Sequence, residues 1–168
     1  LVFSKDLKIK KITSADEMLS EVKKLLPVDL AVCTAAVTDF KPAEKSKNKI
    51  KKENIKLKQI NFVKNYDILE YISKNNKYRP RLVAGFSAET ENITKNSISK
   101  IKRKHCDIIF ANDVSQKGIG FNSDYNKVSV IDKKGDIKII PKNKKSFIAN
   151  KIAEILLDKL LIDDRNTN

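Results

Sequence analysis

The chain has 168 residues, 40% of them apolar and 33% charged, and it contains only four glycines and four prolines. This length can bury a hydrophobic core, and the composition excludes collagen-like and low-complexity proteins. No run approaches the roughly eighteen consecutive apolar residues that a membrane-spanning helix needs. We therefore expect neither a membrane protein nor a wholly disordered chain.

The net charge is +14, which favours phosphate-bearing partners of some kind. Lysine supplies nearly all of it, and arginine occurs only at Arg79, Arg81, Arg103 and Arg165. An AT-rich coding bias explains such a lysine excess equally well. A basic nucleic-acid-binding module stays open as an alternative, although tryptophan is absent and aromatic residues are too few for a base-stacking platform.

The first third of the chain predicts three elements. Lys8–Ile12 is a candidate short strand. Thr13 and Ser14 are typical of a helix start, so a helix is expected from Ala15 to Leu25 or Leu26, ended by Pro27. The apolar run from Leu30 to Thr34 indicates a buried strand.

The middle of the chain predicts a loop followed by three elements. Lys41–Lys56 is rich in lysine and has little apolar periodicity, which is typical of an exposed, mobile loop. Ile55–Phe62 alternates apolar and polar residues, as in a half-buried strand. A helix over Tyr66–Ser73 and a strand over Leu82–Phe86 follow.

The last third adds a helix over about Glu91–Lys104, a strand over Cys106–Ala111, and a hairpin of Val128–Ile131 and Ile137–Ile140 turning at Gly135. A final helix over Lys144–Leu161 carries one apolar face. That face comprises Phe147, Ile148, Ile152, Ile155, Leu156 and Leu160.

Strands that alternate with helices favour an α/β fold. We expect a Rossmann-like three-layer sandwich with a mainly parallel sheet plus a C-terminal β-hairpin. A single domain is expected over residues 1–162, followed by a disordered tail over 163–168.

Polar clusters follow three predicted strands, at residues 35–40, 85–90 and 111–114. Ligands of open parallel sheets bind at the carboxyl ends of the strands, so these clusters mark a candidate site. Asp39 offers an oxygen ligand suited to Mg²⁺ beside a phosphate. Its alternative role is an ordinary turn cap.

Lysines supply the opposite charge. Lys49, Lys51 and Lys52 lie on the predicted loop, where one of them could close over a nucleotide. Lys100 and Lys104 are four residues apart on a predicted helix, so they share a face and could grip phosphates together. For any single lysine of so lysine-rich a chain, an ordinary surface position is the alternative.

Other chemistry finds little support. His105 is the only histidine, which leaves no histidine metal cluster. Cys33 and Cys106 lack metal-type spacing and lie in apolar stretches, which indicates reduced thiols and a cytoplasmic protein. Neither common type of glycine-rich phosphate loop is present.

Four ordered motifs and a lysine-rich segment carry a resemblance. The motifs are Ala35–Pro42, Gly85–Thr90, Ala111–Val114 and Gly120–Asn126, and Lys49–Lys52 lies between the first two. In order and spacing, from about Lys8 to Leu161, the chain resembles the bacterial phosphopantothenoylcysteine synthetase family.

The resemblance implies a ligase of coenzyme A biosynthesis. The carboxylate of 4′-phosphopantothenate would attack the α-phosphate of CTP, releasing pyrophosphate, and the amine of L-cysteine would then displace CMP from the acyl-cytidylate. It further implies Mg²⁺, a homodimer, a possible fused decarboxylase domain that binds FMN, and neither nucleic-acid nor membrane partners. An ATP-dependent ligase on the same fold stays an alternative.

The resemblance also implies particular roles. Lys49 is the expected catalytic loop lysine, Asn112 is expected to position nucleotide or substrate, and Asp39 is the expected metal ligand. Tyr66 stands where the family usually has proline, and Thr34 replaces a residue that is often smaller or sulfur-bearing. The implied nucleotide site consists of Cys33, Thr34, Ala35, Asp39, Lys49, Tyr66, Asp67, Ile68, Leu69, Phe86, Lys100 and Lys104.

The family's first strand, its glycine-rich turn and a catalytic asparagine have no counterpart in this sequence, which begins at Leu1. We therefore expect the chain by itself to be weakly active or inactive as a ligase. An assay with CTP, 4′-phosphopantothenate and L-cysteine tests this expectation, and full turnover would contradict it.

Overall fold

The computed structural model describes residues 7–44, 60–115 and 123–166, with side chains as far as residue 162. The elements are α1 (Ala15–Leu25), β1 (Leu30–Cys33), β2 (Phe40–Pro42), β3 (Phe62–Lys64), α2 (Ile68–Ser73), β4 (Leu82–Glu89), α3 (Ile93–Lys104), β5 (Ile108–Asp113), β6 (Tyr125–Asp132), β7 (Ile137–Lys144) and α4 (Lys145–Asn166). They form two compact units, Leu1–Lys24 with Ala36–Asp67 and Leu25–Ala35 with Ile68–Asn168. A single domain over residues 1–162 stays a prediction.

In the first unit, a reciprocal cap begins α1 at the predicted position. The Glu17 backbone N–H donates to Ser14 Oγ at 3.3 Å, and the Glu17 carboxylate accepts from the Thr13 backbone N–H at 2.7 Å. The cap satisfies backbone donors that a helix start leaves without intrahelical partners. The predicted helix is confirmed over Ala15–Leu25.

The remainder of the first unit differs from the sequence expectations. Residues 8–12 form no strand, because no neighbouring segment hydrogen-bonds to them in the described part of the chain. β2 pairs antiparallel with β3, so the predicted loop begins with two strand residues, Lys41 and Pro42. Phe62 is 61% exposed rather than half-buried. Residues 45–59 lie outside the described residues.

The second unit holds a five-stranded sheet of order β1-β4-β5-β6-β7. β1, β4 and β5 are parallel, whereas β6 and β7 form the antiparallel hairpin. The α/β Rossmann-like class, with a parallel core and a C-terminal hairpin, is confirmed. Gly135 turns the hairpin at a φ of +88°, as the sequence predicted.

Each face of this sheet packs against helices. On one face, Leu82, Ala84 and Phe86 of β4 join a core with the apolar side of α4, which contributes Ile148, Ile152 and Leu156. On the other face, Leu69 of α2 lies over Gly85, where a Cβ atom would come within 2.6 Å of Leu69 Cδ2. The sheet is therefore the middle of three layers.

Helix boundaries show three departures from prediction. α2 begins at Ile68 rather than Tyr66, and α3 begins at Ile93 after Asn92, which has a φ of +48°. α4 continues to Asn166, so the predicted tail is wrong for residues 163–166, where no glycine or proline interrupts the helix. Phe147 is exposed rather than packed on the core face. None of the described helices has the length and apolar character needed to cross a membrane.

Asp132 joins the hairpin to α4. Its carboxylate accepts from Lys159 Nζ at 2.7 Å and from the backbone N–H groups of Lys134 at 3.0 Å and Asp136 at 3.1 Å. Burial acts to raise the pKa of Asp132, but these bonds and the Lys159 charge outweigh it, so the pKa is lowered.

We expect Asp132→Asn to lower the free energy of unfolding at pH 7 by about 1–3 kcal/mol, because it removes a hydrogen-bonded charge. A lowered folded-state pKa stabilises the fold above the unfolded pKa of about 4, and this stabilisation is lost as the pH falls through the folded value. Urea unfolding at pH 7 and in acid checks both points, with the exposed Asp136→Asn as control. Equal acid sensitivity of the wild type and Asp132→Asn would contradict the assignment.

Candidate functional site

In the second unit, two of the residues that are expected to bind the nucleotide lie beside the same glycine. Cys33 ends β1 in register with Gly85 of β4, and Leu69 of α2 covers Gly85 on one face of the sheet. A side chain at position 85 would displace Leu69. The absence of a Cβ atom thus lets α2 approach the strand closely, and Thr34 and Ala35 continue as exposed chain beyond β1.

The two lysines of α3 are each held by a carboxylate from another element. Lys100 Nζ lies 3.3 Å from Glu89 Oε1 at the end of β4, and Lys104 Nζ lies 3.4 Å from Glu70 Oε2 in α2. Their side chains are only 28% and 12% exposed. These lysines are therefore not ordinary solvated surface residues, and their ammonium groups are directed toward β4 and α2.

Glu70 also serves a second lysine. Lys74 donates to Glu70 Oε1 at 2.7 Å, and this hydrogen bond, together with the charges of Lys74 and Lys104, lowers the pKa of Glu70. Glu70 therefore remains an anion at neutral pH. A phosphate bound by Lys104 would lie near this anion, so binding must overcome or displace the existing pair.

Phe86 and Asn112 belong to the opposite face of the sheet. Phe86 packs against the core shared with α4, with its ring centroid 5.2 Å from that of Phe110. Asn112 pairs in register with Ala88, and its Oδ1 accepts from Asn126 Nδ2 at 3.0 Å. Ile68, also expected at the nucleotide site, is buried at the start of α2.

The first unit holds Asp39, Tyr66 and Asp67. The Asp39 carbonyl accepts from the Asn65 backbone N–H at 2.7 Å, while the Asn65 side chain donates to the Thr38 carbonyl at 2.9 Å. The Asp39 carboxylate is exposed, and no hydrogen bond from another described residue makes it a turn cap. Tyr66 is 65% exposed, and Asp67 directly precedes α2.

Asp39 supplies one exposed carboxylate to the expected magnesium site. Within the described ranges, no three histidine, cysteine or carboxylate residues form a cluster able to hold a metal. Mg²⁺ is commonly bound by one or two carboxylates together with substrate phosphates and water. The single Asp39 carboxylate fits that mode and does not fit an all-protein metal cage.

Part of the expected site is outside the described residues. This applies to Lys49, to its neighbours Lys51 and Lys52, and to Gly120–Asn122 of the last motif. The role of Lys49 stays a prediction.

Cys33 and Cys106 are both thiols and are not joined in a disulfide. Cys106 is buried, as its apolar stretch predicted, and burial, with a contribution from the Asp107 charge, raises its pKa to about 12. Cys33 is only half-buried. The two thiols therefore differ in their access to solvent.

Three residues of this region were not predicted from the sequence as part of the site, namely Glu70, Glu89 and Asn126. Glu89 and Asn126 lie inside the quoted motifs, but a motif does not say which side chain faces which. Glu70 lies 34 residues from Lys104 along the chain. Only the packing of α2 beside α3 pairs them.

Residues 2–160 match the model of the family described as the DNA/pantothenate metabolism flavoprotein C-terminal domain. A Borreliella burgdorferi protein described as coenzyme A biosynthesis bifunctional protein CoaBC is 38% identical over 148 residues, covering 87% of this chain and 36% of the relative. The Escherichia coli protein of the same description is 38% identical over 136 residues, covering 79% of this chain and 32% of the relative.

Two solved structures share the fold. The C-terminal domain of a coenzyme A biosynthesis bifunctional protein CoaBC superposes with a TM-score of 0.67 at 27% identity, covering 90% of this chain and 67% of the other. A DNA/pantothenate metabolism flavoprotein from Streptococcus pneumoniae gives a TM-score of 0.65 at 18% identity, covering 95% and 72%, and this supports the fold alone.

The chain spans about a third of the length of these two curated relatives. The family model nevertheless covers nearly the whole chain. The chain thus belongs to the DNA/pantothenate metabolism flavoprotein C-terminal domain family.

Proposed function

We propose that this chain is the nucleotide-binding and acyl-activating part of a CTP-dependent phosphopantothenate–cysteine ligase in coenzyme A biosynthesis. The observation that carries the proposal is the pair of largely buried lysines on α3, Lys100 and Lys104, held toward β4 and α2 by Glu89 and Glu70. The family membership and the description of the relatives as coenzyme A biosynthesis proteins support it.

The chemistry requires these charges. A carboxylate acylates an amine poorly until it carries a good leaving group, and in the first step it must approach the α-phosphate of a highly anionic triphosphate. Lysine ammonium groups offset the repulsion and stabilise the charge that develops on the departing pyrophosphate. In the second step, the cysteine amine forms the amide and CMP leaves.

Each group has a distinct task in this proposal. Lys100 and Lys104 hold the phosphates, Lys49 stabilises the departing pyrophosphate, and Asn112 orients a bound substrate. Asp39 would hold Mg²⁺, which when bound neutralises triphosphate charge. The exposed chain after Cys33 lets the nucleotide approach the backbone of Thr34 and Ala35.

The domain composition of a longer parent protein is also proposed. The relatives are described as bifunctional, and this chain matches about a third of each. We infer a parent in which a decarboxylase domain that binds FMN is fused to this one. A homodimer stays a prediction.

Calorimetric titration with CTP, in the presence of magnesium, tests the proposed site. We expect Lys104→Gln to weaken CTP binding by about tenfold to a hundredfold. A hydrogen bond to a charged group contributes about 1.5–3 kcal/mol, which corresponds to a loss of affinity of this size. Lys102→Gln is the matched control, because Lys102 is an exposed lysine of the same helix. We expect it to change the affinity by less than about twofold.

Titrations with ATP and with RNA separate the proposed ligase from the two alternatives, an ATP-dependent ligase and a nucleic-acid-binding module. Equal binding of ATP and CTP would contradict the choice of base, whereas tighter binding of ATP would favour an ATP-dependent ligase. Absence of nucleotide binding, together with RNA binding that weakens steeply with salt, would contradict the ligase altogether.

Alkylation of the two thiols gives an independent check. We expect iodoacetamide to modify the half-buried Cys33 well before the buried Cys106, and CTP to slow the modification of Cys33 because the nucleotide would cover the end of β1. Mass spectrometry of the digested protein quantifies each thiol, with Cys33→Ser as control. A rate at Cys33 that saturating CTP leaves unchanged would remove Cys33 from the site.

A further inference from the structure

Asn112 at the end of β5 and Asn126 of β6 form a pair whose amide orientation is fixed by the backbone. Asn126 lies on β6 and is only 9% exposed. Its Oδ1 accepts from the backbone N–H of Lys127 at 2.9 Å, and its Nδ2 donates to Asn112 Oδ1 at 3.0 Å. The two bonds occupy opposite ends of one amide group.

The orientation follows from the backbone donor. A backbone N–H can only donate, so the oxygen of the Asn126 amide must face Lys127, and the nitrogen must then face Asn112. Asn112 can satisfy that nitrogen only with its own oxygen. The Lys127 backbone thus sets the amide of Asn126, which in turn sets the amide of Asn112.

A local irregularity places Asn126 for this task. The pairing of β6 with β7 shifts register between Asn126 and Val128, whereas Val128 itself pairs regularly with Asn112 of β5. Bulges commonly redirect a side chain next to a functional site.

Asn112 then has two N–H groups that Asn126 does not use. Its Nδ2 has no hydrogen-bond partner in the part of the chain that the structure describes, and the residue is half-buried at the carboxyl end of β5. Paired amide N–H groups at such a place suit an anionic oxygen of a phosphate or carboxylate.

We propose that Asn126 is a positioning residue that locks Asn112 as a hydrogen-bond donor toward an anionic oxygen of the bound substrates. The ligand half of this inference rests on the proposed function, whereas the orientation half does not. A reversed Asn112 amide would present an oxygen and repel the same group.

Two substitutions at position 112 test the orientation without any ligand. Aspartate keeps an oxygen opposite Asn126 Nδ2, whereas alanine leaves that buried nitrogen without an acceptor. We therefore expect Asn112→Asp to melt at a higher temperature than Asn112→Ala. The reverse order would overturn the proposal, because it would mean that Asn126 presents an oxygen and repels the new carboxylate.

Nuclear magnetic resonance of the ¹⁵N-labelled wild-type chain tests the ligand half, with the Asn112 side-chain amide assigned from its loss in Asn112→Ala. We expect this signal to shift when CTP and 4′-phosphopantothenate are added in turn, and to shift less in Asn126→Ala. Backbone signals of Leu69 and Lys100 report whether the ligands bind at all.

The outcomes separate the two proposals. Backbone shifts without any shift of the Asn112 amide would overturn this inference and leave the proposed function standing. Absence of every shift would overturn the proposed function and the ligand half together, while the melting order still decides the orientation.

Discussion

The partly buried ion pair between Arg79 and Asp107 sets the arrangement of the second unit. Asp107 Oδ2 accepts from Arg79 at 2.9 Å and from the Val83 backbone N–H at 2.8 Å, so one carboxylate links the starts of β4 and β5. Arg79 also donates to the carbonyls of Ser73 and His105, at the ends of α2 and α3. Loss of Arg79 would leave the buried Asp107 carboxylate with the exposed Lys133, 3.3 Å away, as its remaining ion-pair partner.

This clamp at the amino ends of the strands has consequences at their carboxyl ends. With both helix ends tied to one ion pair, α2 and α3 pack side by side over the same face, and Glu70 reaches Lys104. Lys100 meets Glu89 on that face as well. Asn112 lies on the opposite face, where a separate amide pair orients it. The expected nucleotide lysines and Asn112 therefore depend on different supports, and changes to one need not disturb the other.

Most elements of the second unit follow from local sequence signals. The apolar runs at β1, β4 and β5, the periodic face of α4 and the turn at Gly135 each act within a few residues, so the pattern reveals them. Two predictions are wrong where contacts between elements decide the outcome. Residues 8–12 have the composition of a strand but pair with no strand among the described residues. Phe147 has the periodicity of a core residue but is 42% exposed, and its ring lies beside the ammonium group of Lys151.

The sequence by itself determined the α/β alternation, the family, and the polar clusters after β1, β4 and β5, because helix periods, turn chemistry and motif order are properties of adjacent residues. Tertiary structure alone decided that Lys100 and Lys104 are held by Glu89 and Glu70, that Phe86 packs in the core, and that Asn126 faces Asn112. Those pairings join residues from different elements, and only the register of the sheet and the packing of helices on its faces bring such groups within hydrogen-bonding distance.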